Sequence, residues 1–112
     1  MFDLWDALNE ERESAKAALD EIRELGIKKA EAEANYQIAK NKTALLLKAE
    51  GYPATMLQMI LKGDERVSPA LFERDCAVSE YDAARESLNY HKLNARFIEA
   101  QIEREWSQAR RQ

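Results

Sequence analysis

The stretch AVSEYDAARESLNYHKLNARFIEAQIEREWSQA, residues 77–109, decides the fold. Stepping alternately four and three residues from Ala77 lands on Tyr81, Ala84, Leu88, His91, Ala95, Ile98, Ile102, Glu105 and Ala109. Eight of these ten positions are apolar, counting tyrosine, and a stripe with that spacing is the seam of a helix packed against another helix. Arg85, Glu86, Arg96, Glu99, Glu103 and Arg104 occupy the other faces, as side chains on a wetted helix surface do. Upstream, Ser68-Pro69 has the chemistry of a helix start, with Ser as cap and Pro at the first helical position. A helix over about residues 69–110 is predicted.

A second long helix is predicted over about residues 3–50. Asp3 is placed to cap it by accepting the amide of Asp6. Leu4, Leu8, Ala15, Ala18 with Leu19, Ile22 and Leu25 recur at helical spacing. Beyond Gly26, a candidate bend, the apolar stripe resumes as Ile27, Ala30, Ala34, Ile38, Leu45 and Ala49, crossing polar Asn41. Gly51-Tyr52-Pro53 must end it, because Gly takes the left-handed cap and Pro disfavours helix at the residue before it. A short amphipathic helix follows over about 54–62, crowded with Met56, Leu57, Met59, Ile60 and Leu61, and Gly63 is placed to cap it. Residues 64–67 read as a loop.

The 112 residues make one domain, with 34% charged and 46% hydrophobic side chains, enough apolar material for a packed interior. Only three Gly and two Pro leave too few turns for a β-sandwich or barrel, so the class is all-α. With so short a connection the two long helices form an antiparallel, coiled-coil-like hairpin, the short helix folded over its closed end. That topology sets Leu47 near Leu71 and Trp5 near Trp106 and Ala109. The same numbering sets Tyr36 opposite Tyr81 and Gly26 opposite His91. A two-helix hairpin has one mutual seam, and this one is rich in Ala, which buries little area. Leu25, Leu46, Met59, Phe72 and Phe97 are left in need of a second surface, so a homodimer forming a four-helix bundle is expected.

The chemistry of sites is thin. His91 is the only histidine and lies on the apolar seam, as a packed, hydrogen-bonded side chain would. No Glu stands three residues before it, and neither HExxH nor CxxC occurs, so no metal site is expected. Cys76, the only cysteine, adjoins the buried start of the Ala77 seam, and His91 is over ~20 Å along the same helix, so packing is its expected role. Three isolated glycines build no phosphate cradle, and no cofactor or enzymatic activity is expected. A net charge of −4 argues against a general DNA-binding domain. The charge is uneven: residues 1–33 hold ten acidic and five basic side chains, residues 34–62 one acidic and four basic. No apolar run is long enough for a membrane span and the start is acidic, so a cytoplasmic protein with one unpaired cysteine is expected.

Residues 51–64, Gly-Tyr-Pro-Ala-Thr-Met-Leu-Gln-Met-Ile-Leu-Lys-Gly-Asp, together with Tyr-Asp-Ala-Ala-Arg (81–85) and Ile-Glu-Arg-Glu-Trp (102–106), complete a familiar layout. Over about residues 40–106 the chain resembles small helical proteins of temperate phages and prophages of Gram-positive bacteria. The resemblance implies a non-enzymatic accessory protein in a bacterial cytoplasm and carries no activity onto particular residues. Its target would be a replication, recombination or host-defence component. Beside it, the residues point to a helical protein–protein interaction module whose contacts are Trp5, Met56, Met59, Ile60 and Trp106, facing a second, unidentified protein. The alternative is a nucleic-acid-associated factor using Lys40, Lys42 and Arg85.

Overall fold

The computed structural model describes residues 3–111, and among them the regular elements are three helices, with no strand. They are α1 (Leu4–Ala49), α2 (Ala54–Leu61) and α3 (Ser68–Arg111). No helix among the described residues is long and apolar enough to cross a membrane.

Local chemistry explains the helix ends. Asp3 Oδ1 accepts the Asp6 amide at 2.9 Å while the Asp3 amide donates to Asp6 Oδ2 at 3.4 Å. This reciprocal box satisfies amides that have no partner inside the helix. At the other end Gly51 has φ +99°, the left-handed conformation that disfavours any side chain. The Gly51 amide donates to the Lys48 carbonyl and the Tyr52 amide to the Leu47 carbonyl, at 3.1 and 3.2 Å, a Schellman closure. Gly63, expected to do the same for α2, does not. Gly51 alone has positive φ among the described residues, and α2 instead closes through Gly63 and Asp64 amides on the Ile60 and Leu61 carbonyls.

Ser68 is likewise not a cap but the first residue of α3. The Val67 carbonyl accepts the first helical bond, from Leu71, at 3.0 Å. Asp64 organises the preceding turn: its carboxylate accepts the Arg66 amide at 2.8 Å and the Arg66 guanidinium at 2.8 and 2.9 Å. Its carbonyl accepts the Val67 and Ser68 amides.

The described residues fall into two compact units, residues 3–23 with 82–111, and residues 24–81. In the first unit the helices pair antiparallel. Glu11 meets His91 and Asn94, Arg12 meets Glu99, and Trp5 shares a cleft with Ile102, Trp106 and Ala109. Its buried apolar residues are Leu8, Ala18, Ala84 and Ile102. In the second unit Tyr36, Leu47, Leu61 and Val67 form a buried cluster, with Ala44, Leu57, Ile60, Ala70 and Leu71 packed on it.

That cluster corrects the predicted register. Gly26 lies against Tyr81 rather than His91, and Tyr36 lies under the Arg74 guanidinium, 4.8 Å from its ring centroid, rather than beside Tyr81. The cause is the connection. Leu61 of α2 and Val67 of the turn share the cluster with Leu47, so they occupy the level of α1's last turns, and α3 starts lower along α1 than a simple fold-over would put it.

Two predictions follow from these contacts. A methyl group at Gly26 meets the Tyr81 ring at 3.5 Å, an ordinary contact, so Gly26→Ala gains helix propensity without strain. It raises stability by about 0.5–1 kcal/mol, read by urea denaturation. The bonds from Arg66 hold the Asp64 carboxyl down to about 2 from its ordinary 3.8. The folded chain therefore binds this proton more weakly than the unfolded chain, and the contribution is complete above about pH 4 and lost as pH falls through 2. Asp64→Asn lowers the melting temperature at pH 7, and its deficit relative to the parent shrinks from pH 4 to pH 2, measured by circular dichroism.

Candidate interaction surface

The phase of α1 governs what the chain shows to solvent. In the second unit the inward positions of α1 are Leu25, Lys29, Ala32, Tyr36, Ala39, Thr43 and Leu47, spaced four, three, four, three, four and four. Those positions are buried or half-buried in the second unit. Tyr36 and Leu47 sit in the cluster, and Thr43 is buried with no unpaired buried side-chain N or O among the described residues. Polar Lys29 is tolerated because its ammonium stands 4.5 Å from the Tyr81 ring centroid, a cation–π contact.

This phase overturns the expectation for the second half of α1. Ile27, Ala30, Ala34, Ile38, Leu45 and Ala49, predicted to be the buried stripe, are all exposed. Ile27, Ile38 and Leu45 are 62%, 64% and 71% accessible. At about 100° per residue they centre on the face diametrically opposite Tyr36, and one helix cannot turn both faces to one partner.

Other exposed apolar side chains follow the same rule. On α3 in the first unit Tyr90, Leu93 and Phe97, spaced three and four apart, form an exposed stripe. In the second unit Leu46 and Phe72 are exposed and Leu25 is half-buried. Cys76 is exposed rather than packed, because it lies one residue, hence about 100°, off the Ala77 seam.

The five residues picked as contacts divide by environment. Ile60 packs on the cluster with Leu57 and Leu61, while Met56 and Met59 point out, Met59 at 83% accessibility. Eight residues of helix cannot bury five large side chains on one face, and the two methionines are the surplus. Trp5 and Trp106 are both exposed and line one open cleft at the unit's end with Asp3, Leu4, Ala7, Ile102, Glu105 and Ala109.

The basic residues of the alternative are engaged differently. Lys40 holds its ammonium 5.9 Å from the Tyr36 ring centroid, and Lys42 is exposed, both in the second unit. Arg85 lies in the first unit in a shallow depression with Asp82, Glu86 and Asn89. Arg74, not singled out from the sequence, joins three side chains in the second unit. It bonds Glu33 at 3.2 Å and Asp75 at 2.9 Å while covering Tyr36. Hydrogen bonds from Gln37 and then Arg74 hold the Glu33 carboxyl below its ordinary range. Among the described residues no three His, Cys, Asp or Glu side chains converge to hold a metal ion.

His91 is hydrogen-bonded within the helix pair. Its Nδ1 lies 2.7 Å from Glu11 Oε2, and Asn94 Nδ2 donates to Glu11 Oε1 at 3.5 Å. Glu11 takes an inward position of the α1 seam, so the two polar interruptions answer one another.

Neither a protein-family model, nor a curated protein, nor a solved structure matches this chain.

The His91–Glu11 pair sets a third prediction. In a cycle of His91→Ala, Glu11→Ala and the double variant, each single change destabilises. The coupling is about 1 kcal/mol by urea denaturation, and additive losses would show the two side chains to be energetically independent.

Proposed function

We propose that this chain is a non-enzymatic helical interaction protein that acts as a self-associated assembly. The observation that carries this is the α1 face bearing Ile27, Ile38 and Leu45, which the chain leaves in water although each lies on one regular stripe. Covering an Ile or Leu side chain is worth about 1.5–3 kcal/mol when complete, so a stripe of them is a standing drive toward a second helix. The interior supports the same reading. The buried apolar residues of the first unit include two alanines, Ala18 and Ala84, and a seam of small residues contributes little. Met56 and Met59 on α2, and the cleft between Trp5 and Trp106, are the surfaces such an assembly presents to a second protein, since Met adapts to irregular partners and Trp supplies large contact area. A replication, recombination or host-defence component of a bacterial cell is the class of target proposed.

The reading is tested by sedimentation of the full chain at micromolar concentration. A dimer that dissociates on dilution is expected. A monomer throughout the range overturns it, and binding to single- or double-stranded DNA that weakens steeply with salt would favour the nucleic-acid alternative instead.

A further inference from the structure

We infer that the outer face of α1 is an antiparallel pairing surface for a second copy of this chain, with the two-fold axis at the level of Tyr36; this rests on the self-association proposed above. The face consists of Ile27, Glu31, Ala34, Ile38, Asn41 and Leu45, all exposed and all in the unit of residues 24–81. Their spacing is four, three, four, three, four. Ile27 and Leu45 are five whole turns apart, and the other four lie within about 40° of the line joining them. A narrow stripe of that spacing is the seam of a coiled coil, and its occupant is therefore another helix.

The stripe is its own complement when reversed. Turned about the level of Tyr36, Ile27 meets Leu45 of the second copy and Ala34 meets Ile38, so large faces large at the ends and small faces large at the centre. Glu31 meets Asn41, the one polar pair, and Lys42 of the second copy stands beside it at the same level on the same side of the seam. Glu24 comes level with Lys48. Glu24 and Glu31 of one copy thus come level with Lys48 and Lys42 of the other. A parallel pairing in register fails on the same residues. It sets Glu31 against Glu31 and Ala34 against Ala34, opposing like charges and leaving the centre under-filled. A foreign helix has no need of a stripe that reads alike in both directions, whereas an isologous two-fold contact requires self-complementarity.

The test places one cysteine on each end of the stripe in the full chain, with Cys76→Ser to remove the native thiol. Ile27→Cys and Leu45→Cys replace exposed side chains, so neither disturbs the packed seam. After mild oxidation, the mixture of the two variants is expected to give a covalent dimer, and each variant alone is not. In the antiparallel pair, like positions lie about 27 Å apart along the seam, far beyond disulfide reach. Covalent dimers from each single variant would mean a parallel pair and overturn the inference. No cross-link from the mixture, with sedimentation still showing a dimer, would place self-association on another face and overturn the inference alone. A monomer by sedimentation overturns this inference and the proposed function together. Independently, Ile38→Glu puts a charge at the centre of the seam and raises the dimer dissociation constant by about a hundredfold with helix content unchanged; unaltered association would also overturn it.

Discussion

Two helices that pack side by side share one seam, and each can turn only one stripe of its surface toward it. In this chain that limit falls on α1, which carries two stripes on opposite faces. One runs through Leu8, Ala18, Tyr36, Thr43 and Leu47, the other through Ile27, Ala34, Ile38 and Leu45. In the unit of residues 24–81, contacts with α3 and α2 turn the Tyr36, Thr43 and Leu47 stripe inward and leave Ile27, Ile38 and Leu45 outside. Over residues 27–49 the stripe richer in Ile and Leu is the one left outside.

Several polar features follow from that choice. The inward stripe contains Glu11, Lys29 and Thr43, which are acceptable only with partners. Glu11 is met by His91 and Asn94, and Lys29 lies over the Tyr81 ring. Arg74 covers the buried Tyr36 ring while its guanidinium bonds Glu33 and Asp75. These contacts replace some of the apolar area that a Leu-rich seam would bury. They also define which residues of the two helices lie opposite one another, since a displaced register leaves a half-buried carboxylate or ammonium unanswered.

The closed end is held differently. There α2 and the Asp64 turn lie beside α1, and Leu61 and Val67 join Leu47 and Tyr36 in a cluster of large apolar side chains. The Schellman closure at Gly51 and the Asp64–Arg66 bonds fix the two ends of this connection. Its length had been legible from Gly51, Pro53 and Pro69, but its position was not. The numbering predicts a cap over the end of the hairpin, whereas the packing of Leu61 and Val67 draws the connection down the side of α1 and moves the pairings of Tyr36 and Gly26. Local signals that depend on one or two residues fared according to whether a neighbour competed: Asp3 caps α1 as its side chain dictates, while Ser68 is displaced inward because Asp64 and Val67 build the start of α3 first.

The sequence by itself determined that the protein is helical, that it has three helices in long–short–long order, and that the C-terminal seam runs from Ala77 through Ile102. Each of these rests on spacing along one element, together with too few Gly and Pro for anything else. Placement of the candidate contacts was legible in part for the same reason: Trp5 and Trp106 come together because one lies in the first turn of α1 and the other near the end of the antiparallel α3, and Met59 is outside because α2 is too short to bury it. Which of α1's two stripes faces inward was beyond that kind of inference. Both have helical spacing, and over residues 27–49 the outward one is richer in Ile and Leu. Only the tertiary structure decided it, because the deciding terms are contacts with α3 and α2: the cover of Arg74 on Tyr36, the fit of Tyr81 against Gly26, and the cluster that takes Leu47. Those contacts join residues far apart in sequence, and no periodicity within α1 contains them.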